Sequence, residues 1–119
     1  MSDNLSAMIH PSSVIDEGAV IDPSVSIGPF CYVGSEVILH KGVELKSHVV
    51  VTGLTEVGED TVIFPFASIG HIPQDLKFNG EWTKLRIGKR NRIRAYVTMN
   101  PGTIGAGGLT KVGNDGLFM

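Results

Sequence analysis

Every sixth residue from Ile9 to Ile69 is aliphatic: Ile9, Ile15, Ile21, Ile27, Val33, Leu39, Leu45, Val51, Val57, Ile63 and Ile69. A second series sits four residues after each of the first ten: Ser13, Ala19, Val25, Cys31, Val37, Val43, Val49, Thr55, Thr61 and Ala67, all small or β-branched. The position just after the aliphatic is often Asp or Gly, as at Asp16, Asp22, Gly28, Gly34, Gly58 and Gly70. Strands alternate at period two and helices at 3.6, so neither gives a clean six. A short flat strand followed by a turn does. Three such units, 18 residues, close one triangular coil with the large aliphatics inside. Each coil bonds only to its neighbours above and below, so no coil buries its interior alone. An ordinary β-sandwich is the competing reading, but its strands recur every 8–12 residues. The expected fold is therefore all-β, a parallel β-helix of hexapeptide repeats with projecting loops. Its handedness does not follow from the repeat, since general crossover chirality favours the right hand.

The period lapses after Gly70. Asp75 and Glu81 stand where aliphatics belong, and Ile87, Ile93 and Met99 resume the series. Ile69 to Ile87 is 18 residues, which reads as one whole coil with a loop projecting from it. A second lapse covers Gly102 to Thr110. Val112 and Phe118 then restart the hexad one residue out of register. Insertions in repeat proteins map to loops on one side, often the binding side.

Composition narrows the function classes. Net charge is −2, which does not suit an overall nucleic-acid binder. Seven of the ten Lys and Arg residues nevertheless fall between 77 and 94: Lys77, Lys84, Arg86, Lys89, Arg90, Arg92 and Arg94. Two readings stand beside each other, an anion site for a phosphate or an acidic partner and a solvated outer face. Phe78 and Trp82 follow Lys77, but no aromatic interleaves with the six cations from Lys84 to Arg94, which argues further against nucleic acid. One cysteine, Cys31, allows no disulfide within the chain. The first residues show no signal-peptide pattern, and no apolar run approaches the roughly 18 residues that span a bilayer. The expectation is a cytoplasmic protein without membrane insertion.

The motifs match a family. The segments IGPFCYVGSEV, LKSHVVVTGLTEVGEDTVIFPFASIG, PQDLKFNGE, RIGKRNRIRAYVTMNPGT and GGLTKVGNDGLFM resemble the UDP-N-acetylglucosamine O-acyltransferases of lipid A biosynthesis. The resemblance runs from about Ile9 to Met119. Hexads are common to many acyltransferases, whereas QDLK followed by RNRIR, NPGT and GGLTKVG is far more specific. The resemblance implies a left-handed coil and a homotrimer with sites between subunits. It implies transfer of a 3-hydroxyacyl chain from acyl carrier protein to the 3-hydroxyl of UDP-N-acetylglucosamine. A histidine would act as general base, backbone N–H groups would stabilise the oxyanion, and no cofactor or metal is involved.

Carried onto this chain, Gln74, Asp75, Leu76 and Lys77 match the family's substrate-binding loop. Asp75 would accept hydrogen bonds from sugar hydroxyls and Lys77 would pair with a phosphate. Asn100 falls where some members carry a substrate-contacting histidine; it can donate and accept but cannot take a proton. The general base is expected a few residues past Met119. The four histidines present do not replace it: His10 and His40 sit at turns, His48 mid-hexad on the coil surface, and His71 at the base of the first loop. No His spacing supports a zinc site of the β-helical carbonic anhydrase kind. Residues 1–8 are expected to form an N-terminal tail and residues 9–119 an incomplete β-helix, lacking later coils and a C-terminal helical domain. On that expectation the chain alone is inactive. Two alternatives remain: another hexapeptide acyltransferase, N-acylating or coenzyme A-dependent, and a non-enzymatic structural β-helix. Structural solenoids tend to show flat Thr or Asn rows, which are absent here.

Overall fold

A computed structural model describes residues 7–70, 84–99 and 109–119. Among these residues there is no helix, and every strand pairs in parallel with the strand one coil away. The first coil holds β1 (Met8–Ile9), β2 (Val14–Ile15) and β3 (Val20–Ile21). The second holds β4 (Ser26–Ile27), β5 (Tyr32–Val33) and β6 (Val37–Leu39); the third holds β7 (Glu44–Leu45), β8 (Val50–Val51) and β9 (Leu54–Val57). The fourth is β10 (Val62–Ile63), β11 (Ser68–Ile69) and β12 (Lys84–Ile87), and the fifth β13 (Arg92–Ile93), β14 (Thr98–Met99) and β15 (Leu109–Val112). A last strand, β16 (Leu117–Phe118), opens a sixth turn. Three sheets result: A from β1, β4, β7, β10, β13 and β16; B from β2, β5, β8, β11 and β14; C from β3, β6, β9, β12 and β15.

The hexad aliphatics fill the inside. Ile27, Leu45, Ile63 and Ile93 form the inner ladder of sheet A, Val33, Val51 and Ile69 that of sheet B, and Leu39, Val57 and Ile87 that of sheet C. All ten are buried. Each such side chain contributes about 1.5–3 kcal/mol by leaving water, so a run of like residues in register favours one stacking register over its neighbours. The second series is buried too, at Val25, Cys31, Val37, Val43, Val49, Thr55, Thr61 and Ala67. It continues as Leu85 and Asn91 beyond the first lapse. Leu85 is larger than the hexad rule anticipates.

Strand pairing corrects one reading of the repeat. Val51 pairs with Ile69, and Val57 pairs with Ile87. The interval from Ile69 to Ile87 is therefore a single step from sheet B to sheet C, not a whole coil. That step takes 18 residues where others take six, so 12 are inserted. Twelve is two hexads, which is why the aliphatic phase survives unchanged. The second lapse lies between Met99 and Val112, again a step from sheet B to sheet C. It takes 13 residues, an excess of seven, and this odd excess produces the one-residue shift at Val112 and Phe118.

Candidate functional site

Both insertions interrupt the described stack at the same corner, the one joining sheet B to sheet C, on successive coils. The first departs after Gly70 and returns at Lys84; the second departs after Met99 and returns at Leu109. Their departure points touch, because Gly70 N donates to Met99 O at 2.6 Å. Gly70 has φ +88°, and a Cβ there would lie 2.0 Å from Thr52 O and 2.4 Å from Thr55 Oγ1. Only glycine fits that backbone and that approach. Beneath it, Thr55 Oγ1 donates to Thr52 O at 2.7 Å, and Thr52 N donates to Ile69 O at 3.0 Å. The corner is thus a hydrogen-bonded platform from whose neighbouring points, Gly70 and Met99, both inserted segments start.

The residues matched to substrate binding belong to those excursions. Gln74, Asp75, Leu76 and Lys77 fall in the first and Asn100 opens the second; all five lie outside the described residues, as does His71. The described histidines sit elsewhere. His10 and His48 occupy the corner between sheets A and B, and His40 the corner between sheets C and A. His48 is a corner residue, with φ 52°. Its ring stacks between Phe30 and Phe66, at centroid distances of 5.2 and 4.8 Å.

The basic run does not gather into one patch. Lys84 and Arg86 lie on sheet C, Lys89 and Arg90 on the corner between C and A, Arg92 on sheet A, and Arg94 on the corner between A and B. The run is a belt around one coil, because six residues carry the chain past one face. Several of its charges are already paired. Arg90 Nε donates to Asp115 Oδ1 at 2.7 Å, Arg86 Nε lies 3.4 Å from Glu56 Oε1, and Lys89 Nζ lies 3.8 Å from Glu59. Arg94 covers the ring of Phe64 at 4.7 Å. The hydrogen bond from Arg90 holds the Asp115 carboxyl below its ordinary range. His40 Nε2, 2.5 Å from Glu56 Oε2, does the same for Glu56, with Arg86 assisting. Among the described residues these pairs leave a solvated ion network rather than a concentrated anion site. No group of three or more His, Cys, Asp or Glu side chains among them could hold a metal. No helix among them is long and apolar enough to cross a membrane.

The likeness to known proteins runs along nearly the whole chain. Over 111 residues, 93% of its length, the chain is 57% identical to the acyl-(acyl-carrier-protein)–UDP-N-acetylglucosamine O-acyltransferase of Rickettsia bellii (strain OSU 85-389). It is 54% identical over the same length to that of Rickettsia canadensis (strain McKiel). It spans about two fifths of these curated relatives, 40% and 42%. It superposes on the UDP-N-acetylglucosamine O-acyltransferase structure from Moraxella catarrhalis with a TM-score of 0.89 and 45% identity, covering 93% of this chain and 43% of that one. The Francisella novicida UDP-N-acetylglucosamine acyltransferase gives 0.89 at 40% identity, covering 94% and 41%. A GDP-perosamine N-acetyl transferase from Caulobacter crescentus, at 18% identity and TM-score 0.62, shares the fold alone. No protein-family profile matches the chain. The fold is the left-handed parallel β-helix, and the hand, which the hexad leaves open, comes from these superpositions.

Proposed function

This chain is a member of the acyl-(acyl-carrier-protein)–UDP-N-acetylglucosamine O-acyltransferase family, and from that premise we propose that it supplies the substrate-binding corner of such an enzyme. The reaction is transfer of a 3-hydroxyacyl chain from acyl carrier protein to the 3-hydroxyl of UDP-N-acetylglucosamine, the first step of lipid A synthesis. The sugar hydroxyl attacks the thioester carbonyl and loses its proton to a base. The tetrahedral oxyanion collapses and releases the carrier thiol. Asp75 orients sugar hydroxyls, Lys77 pairs with a phosphate, Gln74 and Leu76 complete the loop, and Asn100 adds a hydrogen-bonding side chain. The base is not assigned to a residue of this chain.

The observation that carries the reading is the shared corner. Gly70 and Met99 are hydrogen-bonded neighbours. Chain connectivity keeps Gln74, four residues on, within about 14 Å of Gly70. Asn100 directly follows Met99. Two segments far apart in sequence therefore start from neighbouring points of the backbone, which supports a site that both contribute to. The single cysteine supports a reducing, cytoplasmic setting, and the family likeness supports a homotrimer.

A chimera tests this. The chain replaces the segment it matches in the Rickettsia bellii relative, and the product is assayed with 3-hydroxyacyl carrier protein and UDP-N-acetylglucosamine. Acyl transfer is expected, with kcat/KM reduced in Asp75→Ala and Lys77→Ala. A folded chimera that ignores the acyl carrier protein but acetylates from coenzyme A would overturn the reading.

A further inference from the structure

The sequence contains a single Asp–Gly step, Asp115–Gly116, and a single Asn–Gly step, Asn79–Gly80. Asp–Gly is prone to rearrangement. With no Cβ on the glycine, its backbone nitrogen can reach the Asp side-chain carbon Cγ. Attack there forms an N–Cγ bond, the carboxyl OH leaves with the N–H proton as water, and a five-membered succinimide closes. Water then reopens the ring. Addition at Cγ restores Asp, and addition at the main-chain carbonyl leaves isoaspartate, whose main chain runs through Cβ and Cγ. The mass is unchanged, but the main chain is one atom longer. Two conditions must be met. The glycine nitrogen must be free to turn on the carboxyl, and the carboxyl must be protonated, since a carboxylate has no OH to lose.

The fold blocks both. Asp115 is an exposed turn residue with a left-handed φ of 61°, so water reaches it freely. Gly116 N, however, donates to Oδ1 of the buried Asn91 at 2.7 Å. The Asp115 carboxylate accepts from Arg90 Nε at 2.7 Å and from a terminal Arg90 nitrogen at 3.1 Å. That pairing keeps the carboxyl ionised, below its ordinary range. Lys89, on the same turn as Arg90, faces Glu59, and Asp60 and Glu59 lie on the far side of Arg90. The main chain is fixed on either side as well: Asp115 N donates to Lys89 O and Arg92 N donates to Gly116 O, both at 2.9 Å. Both guarding side chains thus come from the turn one coil below, 25 residues back.

We propose that Asp115–Gly116 is a latent isoaspartate modification site, which Asn91 and Arg90 keep closed while its turn rests on the turn below. Arg90 and Asn91 are adjacent, so local opening of the upper turn removes both guards at once. The modified chain does not close again. The extra main-chain atom falls between Asp115 N and Gly116 O, whose bonds to Lys89 O and Arg92 N set the seat of β16 on β13. A transient opening is thereby converted into a permanent one, and it leaves an isoaspartyl carboxylate of the kind that isoaspartyl methyltransferases accept. The neighbouring Asn114 is tied separately, its Oδ1 accepting from Lys89 N at 2.7 Å. Deamidation of Asn114 would change the mass, whereas isomerisation of Asp115 does not.

Peptide mapping tests the site. Trypsin releases residues 112–119 and 78–84 separately, so the Asp–Gly and Asn–Gly steps report in different peptides. The parent chain, Asn91→Ala and Arg90→Gln are aged in mildly acidic and in neutral buffer, both folded and in concentrated guanidinium chloride. Asp115→Glu is the blank and circular dichroism the folding control. Isoaspartate is scored as a shifted peptide of unchanged mass that takes a methyl group from an isoaspartyl methyltransferase. Expected are rapid conversion of residues 112–119 in denaturant, slow conversion in the folded parent and none in Asp115→Glu. Folded Asn91→Ala should convert roughly tenfold faster than the parent at either pH, the change that one lost hydrogen bond supports. Folded Arg90→Gln should also convert faster, with its excess greatest in mild acid, where the freed carboxyl regains its proton. Arg90 is half-exposed, so Arg90→Gln decides the matter where Asn91→Ala fails to fold. A folded parent that converts at the denatured rate overturns the protection. Folded variants that convert at the parent rate overturn the two guards, and a denatured chain that leaves residues 112–119 unchanged overturns the site itself.

Discussion

Asn91 pins one turn of the next coil at both ends: its Oδ1 accepts from Gly116 N at 2.7 Å, and its Nδ2 donates to Gly113 O at 2.7 Å. Its own backbone N donates to Thr61 Oγ1 at 3.3 Å, and Thr61 Oγ1 donates to Gly88 O at 3.0 Å. Asn91 is fully buried where the repeat ordinarily places Val or Ala. Replacing it with Ala strands one donor and one acceptor, each worth about 1–3 kcal/mol when left unpaired. Asn91→Ala is expected to lose about 2–4 kcal/mol in urea unfolding. Asn91→Asp should lose at least as much, because a carboxylate would face the Gly113 carbonyl. A loss below that of an exposed control such as Thr98→Ala would show that the turns hold without it.

The residues that point inward were legible in the sequence because burial asks the same thing of each: Ile27, Val33, Leu39 and their repeats must be aliphatic whatever surrounds them. Features that depend on pairing across coils were not. Asn91 and Gly116 are 25 residues apart, and nothing local marks Asn91 as a bridge. Phe30, His48 and Phe66 recur at 18, but Tyr96 follows after 30, because the first insertion intervenes. The same insertion hid its own size, since 12 residues preserve the hexad phase and only strand pairing shows that no full coil was added. The basic run looked concentrated along the chain and is dispersed around a coil, since linear proximity means little when the chain turns a corner every six residues. For the candidate site, the two interruptions of the repeat were legible, and the residues they carry lie outside the described ones. That both interruptions share one corner was not.

Stacked coils leave no room at some turns. A Cβ on Gly28 would fall 1.5 Å from Lys46 O, a backbone atom of the next coil. Gly28 donates to Leu45 O at 2.8 Å, which fixes the spacing. Gly28→Ala must break that bond or separate the coils, at a cost of about 3 kcal/mol. At Gly113 a Cβ would meet nothing within 4 Å. Gly113→Ala should stay within about 1 kcal/mol of the parent, with a gain from the stiffer unfolded chain. Thermal melts of the two variants compare them directly, and equal melting temperatures would contradict the steric argument.

Acid should weaken the fold through Glu56. Its hydrogen bond with His40, helped by Arg86, lowers its carboxyl below the ordinary value of 4.5. A group whose folded value is depressed binds more protons when unfolded, so stability rises with pH across that window. The contribution is present above the ordinary carboxylate range and is lost as pH falls below 4.5 toward the folded value. Urea midpoints measured between pH 7 and pH 3 should fall more steeply for the parent than for Glu56→Gln. Parallel curves would mean that the pair contributes nothing.

Cys31 should report on whether the coils are closed. Its side chain lies in the inner series between Ser13 and Val49, and the residue is buried. Burial raises the thiol above its ordinary value of 9.0, with hydrogen bonds around it only partly offsetting the effect. The reactive species is the thiolate, so both access and ionisation oppose modification in the native state. Labelling with a thiol reagent near neutral pH is expected to be slow in buffer and rapid in concentrated urea, with one equivalent taken up. Rapid native labelling at the urea rate would show that the first coils open freely, and the buried inner ladder beginning at Ile27 would then need to start higher in the stack.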